Sequence, residues 1–183
     1  MPFEIETPRL LIRTLQLSDE AGMFEMDSDP EVHRFLGNKF YKTSAESRAN
    51  IELVRQQYLD NGIGRWAVIE KETGEFVGWT GFKLMREKVN GYINYYDFGY
   101  RQKRSMWRKG YGYEAGHAAL EYGLEKLGLR DVFAMTQTGN AASRRLLEKL
   151  GFQFVELFAY DSFPSWHEGA APTIWYAYPH KKE

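Results

Sequence analysis

The 183-residue sequence contains no cysteine, which removes disulfides, thiolate metal ligands and a cysteine nucleophile, and fits a reducing cytoplasm. No charge of one sign prevails either. Twenty-four lysines and arginines stand against 25 aspartates and glutamates, a formal net charge of −1. A global field drawing the chain onto nucleic acid or an anionic membrane is therefore not expected, and any basic site must be local. Long apolar runs are missing as well. None approaches the roughly 20 residues of a membrane span, and the opening MPFEIETPRLLIR carries charges where a signal peptide needs an apolar stretch. A soluble, cytoplasmic protein is expected, without nucleic-acid, membrane or metal partners. The nucleotide-binding pattern GxxxxGK followed by Ser or Thr is also absent, so nucleoside triphosphate hydrolysis drops out.

What is present suits one domain over residues 1–183, with a core from about 6 to 178. Aromatic residues are abundant, with 12 Tyr, 12 Phe and 5 Trp, enough to fill a core and to line a groove. RLLIRTLQL (9–17) reads as a first strand, and Ser18 as the N-cap of a short helix holding Met23, Phe24 and Met26. Asp29 and Pro30 start a second short helix that Gly37 ends. Thr43 and Glu46 have capping-box spacing, and Ile51, Val54 and Tyr58 form one stripe, so residues 44–60 are expected to be helical. RWAVIE, FVGWTGFKLM and YINYYDFGYR, joined by turn sequences, make an antiparallel meander. A helix over 111–127 follows, then the strand DVFAMTQT and a helix AASRRLLEKLG capped by Asn140 and ended by Gly151. FQFVELFAY and TIWYAY close the chain. Strands separated by helices late in the chain imply parallel pairing there, hence an α/β domain with a mixed sheet of about seven strands.

The most informative stretch is RSMWRKGYGYEAGHAALEYG, residues 104–123. Gly110 and Gly112 stand at the head of the expected helix, just after Arg101, Lys103, Arg104, Arg108 and Lys109. A helix N-terminus has unpaired N–H groups and partial positive charge, and glycines admit a phosphate to the backbone. That combination suits a pyrophosphate, although GxG alone is equally an ordinary tight turn beside solvated cations. GYGYEA also satisfies the dinucleotide pattern GxGxxG/A, with Asp131 near the required spacing. Its context disagrees: RQKRSMWRK separates Tyr100 from Gly110, and the preceding strand belongs to an antiparallel meander.

Here the sequence resembles the GNAT N-acetyltransferase superfamily, in the branch of the Rim-type acetyltransferases of ribosomal-protein N-termini. The family's pyrophosphate loop, Q/R-x-x-G-x-G/A, lies on WRKGYG, with Trp107 first, and Glu114 and Ala115 continue it. NAASRRLLEKLGF looks like the family's Asn-initiated helix ending in Gly-Phe, and TPRLLIR and SDPEVHRFLG are also typical. The resemblance implies a sheet with helices on both faces and a splayed antiparallel/parallel strand pair that admits the pantetheine arm of acetyl-CoA. It further implies acetyl transfer to a primary amine, by a monomer or homodimer.

Carried over residue by residue, amides of Tyr100, Arg101 and Gln102 would meet pantetheine and the oxyanion. Arg108, Lys109, Gly110, Tyr111, Gly112 and Tyr113 would hold the pyrophosphate, with Asn140 and Ser143 on the cofactor's other side. Asp97 is the candidate general base, and His117, within the helix after the loop, is expected to be structural. Many family members place a tyrosine acid where this chain has Leu147, which leaves Ser143 or a water to serve the leaving thiolate. Asp27, Asp29, Glu31, Asp161 and Glu168 could attract a cationic amine, and Phe35, Tyr160 and Trp166 could wall its pocket. A CoA-binding sensor without efficient turnover is the alternative, and a dinucleotide oxidoreductase the more distant one.

Overall fold

In the computed structural model, which describes residues 3–37, 39–158 and 172–179, eight strands form one sheet. They are β1 (Glu4–Glu6), β2 (Leu10–Arg13), β3 (Arg65–Glu70), β4 (Phe76–Met85), β5 (Tyr95–Gln102), β6 (Val132–Gln137), β7 (Gln153–Phe158) and β8 (Thr173–Ala177). The order across the sheet is β1-β2-β3-β4-β5-β6-β8-β7. Every neighbouring pair is antiparallel except β5 and β6. The expectation of about seven strands is corrected by β1, which pairs with β2 through only three residues. So short a segment carries no readable period, and its pairing partner defines it.

Alternation along the strands creates two layers. Trp66 and Val68 of β3 join Phe82 and Phe98 in one cluster, whereas Ala67 and Ile69 join Phe76 and Trp79 in another. The first face is covered by α4 (Tyr111–Glu121, continued by a π-helical turn Tyr122–Lys126) and α5 (Ala141–Lys149), through Tyr111, Ala115, Ala119, Leu120, Leu147 and Leu150. The second face is covered by α1 (Glu20–Asp27) and α3 (Ser44–Asn61), through Met23, Met26, Ile51 and Val54. Each fully buried large apolar side chain contributes about 1.5–3 kcal/mol. Rings fill much of this interior, including Phe3, Trp66 and Tyr122 in one group and Tyr95, Phe133 and Trp175 in another.

Local signals place most helix ends. Thr43 and Glu46 form the capping box of α3, and Gly62 ends it in the left-handed region at φ +69°. Asp29 accepts from the Glu31 amide at the head of α2 (Pro30–His33). Asn140 likewise accepts from the Ser143 amide at 3.1 Å. Ser18 does not cap α1. A 3-10 turn over Leu17–Asp19 precedes that helix, and the Asp19 carboxylate takes the Gln16 amide and the Arg13 guanidinium instead.

Candidate active site

Strands β5 and β6 stay paired for only two registers, Tyr96 with Val132 and Asp97 with Phe133. Beyond them β5 continues to Gln102 along β4, while β6 continues to Gln137 along β8. The two strands therefore part, and the facing edges of Phe98–Gln102 and Ala134–Gln137 are left without a ladder between them. A slot of this kind offers backbone N–H and C=O groups to an extended ligand.

The slot opens at the loop before α4. Trp107 closes its base by donating the indole N–H to the Gln102 carbonyl at 3.1 Å. Arg108 and Gly110 both adopt left-handed backbone, at φ +63° and +83°. The first amide of α4 with a backbone acceptor here is Glu114, on the Gly110 carbonyl, so the amides of Tyr111, Gly112 and Tyr113 precede the helical ladder. Successive amides turned to one side in this way form a concavity suited to an anion. The two glycines do different work. Gly110 meets the conformational demand, whereas a Cβ on Gly112 would lie 2.9 Å from a Leu146 methyl, so its bare backbone lets α4 approach α5.

Three outside residues pin this loop. Arg9 pairs with the Glu114 carboxylate at 2.7 Å and donates to the Lys109 carbonyl at 2.9 Å. Thr7 also donates to Glu114, and the Tyr111 hydroxyl donates to Glu70. Burial tends to raise the Glu114 carboxyl, but the hydrogen bonds from Thr7 and Arg9 prevail and hold it below the usual glutamate range. No local pattern joins TPRLLIR to Glu114, because the contact spans 105 positions.

The cation cluster is smaller than the sequence suggests. Arg101 pairs with fully buried Asp27 at 2.6 Å, and Lys103, only 3 % exposed, pairs with Glu25 and Glu75. These two side chains tie α1 and the β3–β4 turn to the end of β5. Lys109 reaches the Met106 sulfur at 3.4 Å and lies near the Tyr111 ring. Arg104 and Arg108 are exposed and have no ion pair among the described residues.

Asp97 sits on the face of β5 that looks toward α1 and α3. It is 8 % exposed and accepts from Arg65 at 2.6 Å. Burial raises its carboxyl above the ordinary aspartate value, against the opposing charges of Arg65 and Lys83. Arg65 and Arg101 both lie against the Trp79 ring, at 4.6 and 5.3 Å from its centroid. Sequence reading missed this Arg65–Trp79–Arg101 row, since only sheet pairing brings three strands together.

On the opposite face, the Tyr100 hydroxyl donates to the Ser143 carbonyl at 3.0 Å and lies 2.9 Å from the Ser143 hydroxyl. Leu147 is 1 % exposed in the core beneath α5. His117 is exposed on α4, tilted against the Tyr113 ring, and takes no part in the slot. Asp27 is no open lure for an amine, because Arg101 and His33 occupy one of its oxygens. Asp29 caps α2 and Glu31 is exposed. Phe35 reaches across to the β6–α5 turn, 3.4 Å from where a Gly139 Cβ would stand. Tyr160, Asp161, Trp166 and Glu168 lie outside the described residues.

Against known proteins, residues 9–153 match the family model described as an acetyltransferase (GNAT) domain. The chain is a GNAT acetyltransferase. It is 31% identical over 147 residues to the N-acetyltransferase p20 of Bacillus licheniformis, covering 80% of both chains. A crystal structure of a GNAT-family acetyltransferase from Bacillus anthracis superposes with a TM-score of 0.77 at 25% identity, covering 96% of this chain and 97% of that one. RimL, the ribosomal L7/L12 α-N-protein acetyltransferase in complex with coenzyme A, shares the fold at a TM-score of 0.79 and 14% identity, covering 96% and 97%. Among these GNAT enzymes the fold is common, and the dinucleotide oxidoreductase reading falls. The GYGYEA pattern is met here by a loop after an antiparallel strand.

Proposed function

We propose that this GNAT acetyltransferase moves the acetyl group of acetyl-CoA to a primary amine by direct attack on the thioester. The observation that carries the reading is the parting of β5 and β6 beyond Asp97 and Phe133, which leads into the left-handed loop at the head of α4. An extended arm fits the slot, and a pyrophosphate fits the loop. The amides of Tyr111, Gly112 and Tyr113, with Arg108, Lys109 and Gly110, hold the diphosphate, while Arg104 adds an exposed cation beside it. Of the expected trio, Tyr100 and Gln102 turn their backbone groups to the slot, where one N–H would stabilise the oxyanion, whereas the Arg101 backbone faces β4, on the same edge as the Lys103 amide that bonds the Val77 carbonyl. Asn140 and Ser143 face the slot from α5.

Bound acetyl-CoA supplies an activated acyl group on a good leaving group. The chain's part is to orient the reactants, exclude water and take a proton from the amine. Asp97, kept basic by burial, accepts that proton directly or through a water. An α-amino group, with a pKa of about 7.7–8.0, needs less help than a lysine at about 10.4. Peptide N-termini and small primary amines are both within the class, with the acceptor entering beside Phe35 and Trp79. Calorimetric titration with acetyl-CoA and NADH, followed by CoA release across a panel of peptides and small amines, tests the reading. Binding without CoA release from any acceptor would sink it.

A further inference from the structure

The Tyr100 hydroxyl has one proton and two acceptors at nearly equal range, the carbonyl oxygen of Ser143 at 3.0 Å and its hydroxyl oxygen at 2.9 Å. It can satisfy only one at a time. When it donates to the carbonyl, the Ser143 hydroxyl has a neighbouring acceptor in the phenol oxygen. When it donates to the Ser143 hydroxyl oxygen, the serine proton must turn elsewhere. Tyr100 lies three positions beyond Asp97, the last residue of β5 paired with β6, so it stands on the stretch of β5 that has parted from β6, with its hydroxyl against the first turn of α5. Asn140 fixes the other end by accepting from the Ser143 amide. The phenol side chain is packed against the main core cluster, with its ring 6.0 Å from that of Phe98.

Resting on the acetyl-transfer reading above, we propose that Tyr100 is the positioning residue for the leaving sulfur. By switching its donated proton from the carbonyl to the hydroxyl of Ser143, it frees the Ser143 proton to hydrogen-bond the departing thiolate. In the step itself the amine nitrogen forms the C–N bond and the C–S bond breaks, with its electron pair leaving on sulfur. Neither hydroxyl is consumed. The amine's proton goes to Asp97 and from there to solvent, the thiolate leaves held by the Ser143 hydrogen bond and takes its proton from water, and Tyr100 returns to the carbonyl afterwards. Burial raises the phenol's pKa, which keeps it a donor throughout the working pH range and unsuited to full proton transfer. The Ser143 hydroxyl, set by the phenol from the strand, thus serves where Leu147, buried in the core, offers none.

The test is steady-state kinetics of Tyr100→Phe, Ser143→Ala and the double variant, with acetyl-CoA affinity measured separately. Tyr100→Phe keeps the ring. Its kcat is expected to fall on the order of 10- to 100-fold, the range for one hydrogen bond to a developing charge, while the Kd for acetyl-CoA stays within about twofold. Ser143→Ala should fall similarly, and the double variant no further than the worse single one. An undiminished kcat in Tyr100→Phe, a loss confined to acetyl-CoA affinity, or losses that multiply in the double variant would each overturn the proposal. If the wild-type protein releases no CoA with any amine, the transfer reading fails first and takes this one with it; an active wild type with an indifferent Tyr100→Phe rejects Tyr100 alone.

Discussion

Arg108 holds a left-handed backbone conformation at φ +63° that costs a side-chain-bearing residue about 1 kcal/mol or more. Substitution by glycine separates its two contributions. Arg108→Gly relieves the strain while removing the charge, so thermal stability should stay level or rise slightly. Affinity for acetyl-CoA should drop about three- to tenfold at low salt, with the gap narrowing as salt rises. Equal affinity at low salt would show that the cation is not used. Asp97 allows a second test, on pH. Its folded-state pKa is raised above the ordinary value of 3.8, so its contribution to stability is present below that value and is lost as pH rises through the raised one. Activity runs the other way, because a base must be unprotonated. The acidic limb of kcat/KM should therefore have its midpoint above 3.8. Arg65→Gln, which removes a charge that lowers this pKa, should move the limb to higher pH. A limb that stays in place under that change would exclude Asp97 as the titrating base.

At the scale of elements, α5 shows why a family pattern is an incomplete guide to chemistry. Installing the family's usual residue through Leu147→Tyr puts a phenol into a fully packed position. A loss of about 1–3 kcal/mol and no gain in kcat are expected from thermal denaturation and kinetics. Increased turnover would mean that the site lies closer to the slot than the packing shows. Helix α4 depends on the β1–β2 turn in a comparable way. Arg9→Ala removes the pair with Glu114 and the hydrogen bond to the Lys109 carbonyl, and should weaken acetyl-CoA binding by about five- to tenfold while kcat falls less. An unchanged Kd would show that the loop keeps its shape without the clamp. The capping signals at Thr43, Asp29 and Asn140 were legible because each acts within three residues. Ser18 misled because a carboxylate one residue later, already fixed by Arg13, makes the stronger acceptor.

Across the whole molecule, composition and local pattern determined a good deal. Alternating strands, helix caps, the glycine loop with its preceding cations, and the Asn-initiated helix are all short-range features. Together they specified a mixed α/β sheet and a glycine turn suited to an anion, and by resemblance the acetyltransferase family. Only the tertiary structure decided which cations remain available. Arg101 and Lys103 read like Arg104 and Arg108 in the chain, yet carboxylates from α1 and the β3–β4 turn pair with the first two. It also decided that Arg9 reaches the loop 100 residues away, that Leu147 is core, and that the Tyr100 hydroxyl meets Ser143. The physical reason is that periodicity reports which side of an element a residue occupies, whereas the charge or hydroxyl facing it is supplied by an element folded in from elsewhere.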